Sequence, residues 1–234
     1  MTVLRVSALS KSFPIGWLGR QHKAVLRGVD LEVGSGEICV LMGDNGSGKT
    51  TLLRVIAGVL TPDSGEVSVA GRPASSIAAR ATTGFASGDE RSFQLRLSGL
   101  DNLRFFAALY GLKRDAVARR VEQLGRALDL DEFLRKPVGQ CSAGMKARLG
   151  LARALLHEPK LLLLDEPTKS IDQSHLPRVR ALMKEHIARG GAALVVTHSP
   201  DEAQAISSRI ERLESGRMEP CRSRSATPLE QAVS

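Results

Sequence analysis

The segment Gly43-Asp44-Asn45-Gly46-Ser47-Gly48-Lys49-Thr50 places two glycines, a lysine and a hydroxyl in the spacing G-x-x-x-x-G-K-[ST]. Without a Cβ at Gly43, Gly46 and Gly48 the backbone can curl until successive N–H groups converge on one centre. A nest of that kind, opening into a helix N-terminus, holds an anion. Lys49 adds a point charge suited to the β- and γ-phosphates of a nucleotide, and the Thr50 hydroxyl is suited to Mg2+. The bland alternative, a tight glycine turn with a solvated lysine, does not require these four identities together.

A second chemical signal lies far downstream. Leu161-Leu162-Leu163-Leu164 ends in Asp165-Glu166, an apolar run closed by two carboxylates. In that arrangement the first carboxylate holds a metal shell and the next polarises water. A charged pair that merely ends a buried strand before Pro167 is the competing reading. Ser142 is placed to cap a helix beginning near Met145, with Gly144 allowing close backbone approach. His198 follows the apolar run 192–196, where a plain strand-end histidine competes with one that contacts a phosphate.

Taken in order, these segments resemble the ABC ATPases. Residues 43–50 look like a Walker A motif, residues 161–165 like a Walker B, and Cys141-Ser142-Ala143-Gly144-Met145 like the signature motif, usually L-S-G-G-Q. Lys169-Ser170-Ile171-Asp172 resembles the D-loop, and Val195-Val196-Thr197-His198 the switch histidine. The resemblance implies an ATP-hydrolysing subunit that energises a separately encoded transmembrane permease. ATP would be held by Gly43, Asp44, Asn45, Gly46, Ser47, Gly48, Lys49, Thr50 and Thr51, and Mg2+ by Thr50 and Asp165. Phe13 stands near the place of the aromatic that stacks on adenine, with packing and Trp17 as competing assignments. Lys49, Glu166 and His198 would carry catalysis, with Glu166 as general base. Ser142 and Gly144 would meet the γ-phosphate held by a second copy, giving an ATP-sandwich homodimer.

The sequence departs from that pattern at two places. Cys141, Ala143 and Met145 replace the commonest signature residues. The glutamine expected soon after Gly84-Phe85 is missing, and the chain reads Ala86-Ser87-Gly88-Asp89-Glu90. Asp89 or Glu90 reaching metal or water, the late Gln94, and a solvated loop all remain open as its substitute. Residues 91–106 resemble the helical lobe of exporter ATPases, especially those paired with polysaccharide or drug export permeases. Phe93, Phe105 and Phe106 there, with Tyr110 just beyond, could serve a docking surface or the lobe core alone.

These residues need a scaffold, and periodicity supplies one. Runs at 2–7, 24–33 and 65–70 predict an early antiparallel portion. From residue 100 the spacing becomes helical, with Leu100, Leu103, Phe106, Ala107 and Tyr110 on one face, then Val117, Val121, Leu124 and Leu128. Strand, helix and strand then follow over 161–197, a βαβ rhythm with a parallel sheet. The expected fold is α/β: a P-loop NTPase core with a parallel sheet, an N-terminal antiparallel β subdomain and an α-helical subdomain. Residues 1–216 would form one domain, with the lobe over about 89–156, and residues 217–234 a loosely ordered tail.

Composition narrows the class. The 234 residues are 42% apolar and 25% charged, which suits one globular unit. No apolar run approaches the roughly 20 residues that cross a bilayer. Cys39, Cys141 and Cys221 are too scattered for a disulfide framework or metal cluster. The net charge of +8 is spread rather than gathered in a block, so no nucleic-acid partner is expected. A cytoplasmic chain, peripheral on the membrane through its permease, is the expectation. A soluble ABC-type mechanical ATPase acting on ribosomes or nucleic acid is the alternative; long coiled-coil insertions or a second ATPase half would favour it, and neither is seen in the sequence.

Overall fold

A computed structural model describes residues 1–15 and 21–219, so Trp17 and Cys221 lie outside the described residues. The chain opens with β1 (Thr2–Ile15) and β2 (Gln21–Gly34), an antiparallel pair. β3 (Ile38–Met42) leads through the glycine loop into α1 (Lys49–Ile56). β4 (Ser64–Val69) returns beside β1 and carries the short β5 (Arg72–Pro73), completing a sheet of order β2-β1-β4-β5. This is the expected antiparallel portion.

After α2 (Ile77–Arg80) and β6 (Thr83–Ser87) comes a helical lobe of α3 (Gly99–Leu109), α4 (Arg114–Leu128) and α5 (Ala143–Leu155). The chain then alternates through β7 (Leu161–Asp165), α6 (Leu176–Ala188), β8 (Ala192–Val196), α7 (Pro200–Ile206) and β9 (Arg209–Glu214). The second sheet has the order β10-β9-β3-β8-β7-β6 and is parallel from β9 to β6. Its edge strand β10 (Arg217–Met218) falls where the tail was expected to begin. Ser215 and Gly216, at φ 47° and 80°, make a tight turn that folds Arg217 back onto Glu214.

Both faces of the parallel sheet are covered, which explains why its strands read as continuous apolar runs. Ile38, Val40, Leu162, Leu164, Ala193 and Val195 face the lobe and α6. Cys39, Leu41, Leu161, Leu163, Leu194 and Val196 face the antiparallel sheet and α1. Burial pushes the Cys39 thiol up to about 12, so it packs as a small apolar group. In the lobe, Leu103, Ala107, Val117, Val121, Leu124 and Leu128 join the same cluster as the sheet residues. The lobe therefore shares its core with the sheet, and α5 is the element that joins them.

Candidate functional site

The site lies at the C-terminal ends of three adjacent strands, β3, β7 and β8, where ligands bind in open α/β sheets. Immediately after β3 the loop packs tightly. A Cβ at Gly43, whose φ is 147°, would lie 2.1 Å from the Leu213 carbonyl oxygen. At Gly48, φ 112°, a Cβ would meet Val25 O and Leu26 Cδ2 at 2.9 Å. These two glycines let the loop fit against β9 and β2. Gly46, φ 82°, has open space where its Cβ would be, and it lines the pocket. Gly48 caps α1 without any side-chain bond, so the helix N-terminus keeps its N–H groups for a ligand.

Lys49 is buried, and its Nζ donates to the carbonyls of Gly43 at 2.7 Å and Asp44 at 2.8 Å. Burial lowers its pKa from the ordinary lysine value, while Glu166, Asp165 and Asp44 pull it upward. Next to it, Thr50 Oγ1 donates to Asp165 Oδ2 at 2.9 Å. A hydroxyl and a carboxylate at that separation are hard oxygen donors that suit Mg2+ completed by phosphate and water oxygens. Among the described residues, no cluster of three or more His, Cys, Asp or Glu side chains offers a metal cage. A cation at Thr50 and Asp165 would therefore depend on the nucleotide.

Glu166 takes the left-handed region at φ 51°, with its N–H bonded to the Val196 carbonyl at 2.9 Å. A non-glycine residue in that region is held there by its surroundings. Its Oε1 is 3.1 Å from His198 Nε2. Burial raises its pKa above the ordinary glutamate value, partly offset by His198 and Lys49. A carboxylate held in this way is suited to take a proton from water. The Ser47 hydroxyl, inside the loop, is buried with no partner among the described residues.

One pocket of about 540 Å3 brings together Phe13, Asn45, Gly46, Gly48, Lys49, Thr50, Thr51, Asp165, Glu166 and His198. Gly43, Asp44 and Ser47 complete the loop behind it, and Lys23 and Val25 of β2 join the lining unannounced by any motif. Phe13 thus lines the same pocket as the glycine loop. Ser142 and Gly144 lie elsewhere, at the start of α5. Ser142 caps this helix by accepting from Met145 N at 3.1 Å, and the helix begins at Ala143, two residues earlier than expected. A Cβ on Gly144 would come 2.5 Å from the Ser170 carbonyl, so this glycine accommodates the 169–172 loop of its own chain.

The region of the missing glutamine resolves into packing. Gly88 N donates to Asp165 O at 2.9 Å, and a Cβ at Gly88 would lie 2.2 Å from the Glu166 carbonyl oxygen. The backbone itself fills the space a side chain would need. Both carboxylates beside it are engaged by arginines. Asp89 pairs with Arg91 at 2.7 Å on the surface, and Glu90 turns into the lobe to pair with Arg153 at 2.9 Å. Arg153 also bonds Phe85 O and Ser92 Oγ and lies over the Phe93 and Phe106 rings. Gln94 engages Asn102 through its backbone N–H and carbonyl.

Between core and lobe runs a groove of about 1070 Å3 that reaches Thr50 and Asp165. Exposed Val59, Ile77, Leu109 and Tyr110 line it, with Arg54 and Arg80. Of the four lobe aromatics, Phe93 is buried, Phe106 packs on the core, and Phe105 and Tyr110 are exposed. The lobe aromatics thus divide between packing and surface.

Residues 26–169 match the family model described as ABC transporter. The ABC transporter ATP-binding protein NatA of Bacillus subtilis is 33% identical over 199 residues, covering 83% of this chain and 79% of that protein. The cytochrome c biogenesis ATP-binding export protein CcmA of Cupriavidus necator is 38% identical over 185 residues, covering 77% and 79%. A solved ATP-binding subunit of an ABC transporter superposes with TM-score 0.82 at 30% identity, covering 93% of this chain and 88% of its own.

Proposed function

The chain belongs to the ABC transporter family as an ATP-binding, ATP-hydrolysing subunit, and from that premise we propose how its residues divide the work. The observation that carries the reading is the join between the glycine loop and β7, Thr50 Oγ1 to Asp165 Oδ2. The loop 43–51 holds the phosphates, Lys49 neutralises charge on the β- and γ-phosphates, and Phe13 stacks on the base. Thr50 and Asp165 hold Mg2+, which when bound neutralises charge on the phosphates. Glu166 accepts the proton of the attacking water, and His198 positions that water near the γ-phosphate.

Two copies close on ATP through Ser142 and Gly144, and hydrolysis reopens them. A separate permease docks in the groove between core and lobe. Its exposed Val59, Ile77 and Leu109 beside Arg54 and Arg80 suit an amphipathic segment that carries acidic residues. The export direction draws support from the lobe's resemblance to exporter ATPases. The chain works at the inner membrane face. Co-purification from detergent-solubilised membranes of the source cells tests this part: a polytopic protein retained by the parent and lost with Ile77→Glu supports it. Retention of ribosomes or nucleic acid instead would favour a soluble mechanical ATPase.

A further inference from the structure

Ser199-Pro200-Asp201-Glu202 has the S-x-x-E form of a capping box, in which the glutamate would reach back to the N–H of Ser199. Only half of that box is made. Glu202 N donates to Ser199 Oγ at 3.2 Å, but Ser199 N donates to Thr197 Oγ1 at 3.2 Å. The Glu202 carboxylate is thereby left for other partners. It is buried, and its Oε2 accepts from Thr168 Oγ1 at 2.5 Å and Thr197 Oγ1 at 3.0 Å.

Those two hydroxyls belong to the two loops that carry the water-activating pair. Thr197 adjoins His198, and Thr168 lies two residues after Glu166. One carboxylate oxygen on α7 therefore clamps the end of β8 to the loop after β7, beside the bond from Glu166 N to Val196 O. The bond from Thr197 is buried and that from Thr168 part-buried.

We propose that Glu202 is a positioning residue for ATP hydrolysis, setting the 3.1 Å approach of His198 Nε2 to Glu166 Oε1. It touches neither nucleotide pocket nor metal donors, and it acts through Thr168 and Thr197. The proposal rests on Glu166 and His198 being the water-activating pair. A misplacement near 1 Å in such a pair costs on the order of a hundredfold in rate.

The test is steady-state ATPase kinetics on the full chain, with thermal midpoints measured in parallel. Glu202→Ala should lower kcat by roughly 10- to 100-fold with KM for ATP within about threefold of the parent. Glu202→Gln, whose amide oxygen can accept both hydroxyls, should stay within about fivefold of the parent. Thr168→Val should reduce kcat and Thr168→Ser should restore it, a pair that remains informative where the alanine variant does not fold. Parent-like kcat in Glu202→Ala at lowered thermal midpoint would mark a structural staple and overturn the proposal. So would a glutamine variant as impaired as the alanine one, or a KM that rises in step with the loss of kcat. Failure of the underlying site reading is separable, because it would appear as normal turnover in Glu166→Gln with Glu202 intact.

Discussion

Thr50 Oγ1 and Asp165 Oδ2 stand 2.9 Å apart in a direct hydrogen bond, linking the first turn of α1 to the end of β7 across 115 residues of sequence. The two donors proposed for Mg2+ are thus already adjacent, oriented by the strands and helix that carry them. Asp165→Asn keeps the size and the hydrogen-bonding capacity but loses the charge. ATP binding without Mg2+ should persist in this variant, while the Mg2+ concentration giving half-maximal turnover rises at least about tenfold. Titration of ATPase rate against Mg2+ at saturating ATP checks this.

Glu166, the proposed general base, also bears on stability. Its pKa is raised by burial, so the folded state resists the ionised form. The favourable contribution is complete below the ordinary glutamate value of 4.5 and is lost as pH rises through the higher folded value. At pH 7.5 the ionised carboxylate therefore costs stability. Glu166→Gln should melt higher than the parent at pH 7.5, with the advantage shrinking as pH falls toward 4.5. Scanning calorimetry of both proteins across that range reads the sign.

Gly88 leaves no room for a side chain. Gly88→Gln should lose both turnover and stability, because its Cβ would meet the Glu166 carbonyl at 2.2 Å and push the loop that bears the base. Gly88→Ala shares the collision and should cost about 1–3 kcal/mol in urea unfolding. A fully active, parent-stable Gly88→Gln protein would contradict the packing described above.

The Glu90–Arg153 pair ties the loop after β6 to α5, with side chains only 4% and 11% exposed. Arg153→Met should destabilise by about 3–5 kcal/mol, since Glu90 would be left buried and unpaired. The double variant Glu90→Gln with Arg153→Met should recover much of that loss. Neither residue bonds the nucleotide loop, so ATP affinity should hold in the double variant. Chemical denaturation and nucleotide titration separate the two effects.

The chemistry of the site was more legible in sequence than its mechanics. Gly43, Lys49, Thr50, Asp165 and Glu166 stand out by motif spacing and His198 through the family resemblance, and the structure gathers the last five of them in one pocket. The strands were readable because burial on both faces makes them continuously apolar. Long-range packing was not. Gly88 looks like any loop glycine until Glu166 is known to lie behind it. Glu90 looked like a metal candidate because its charge is local information and its partner Arg153 is 63 residues away. Glu202 has the spacing of a capping-box glutamate, and only the tertiary placement of Thr168 reveals a different use. Arg217 and Met218 read as tail because a two-residue edge strand carries no periodic signal.

The central claim is that Glu166 activates water at a Mg-ATP site built by residues 43–51 and Asp165. Single-turnover hydrolysis by Glu166→Gln, alongside its ATP dissociation constant, tests this most directly. The account predicts parent-like ATP affinity, ATP-dependent accumulation of dimer on gel filtration, and a hydrolysis rate lower by at least about a hundredfold. Hydrolysis at the parent rate by a properly folded Glu166→Gln protein would contradict it.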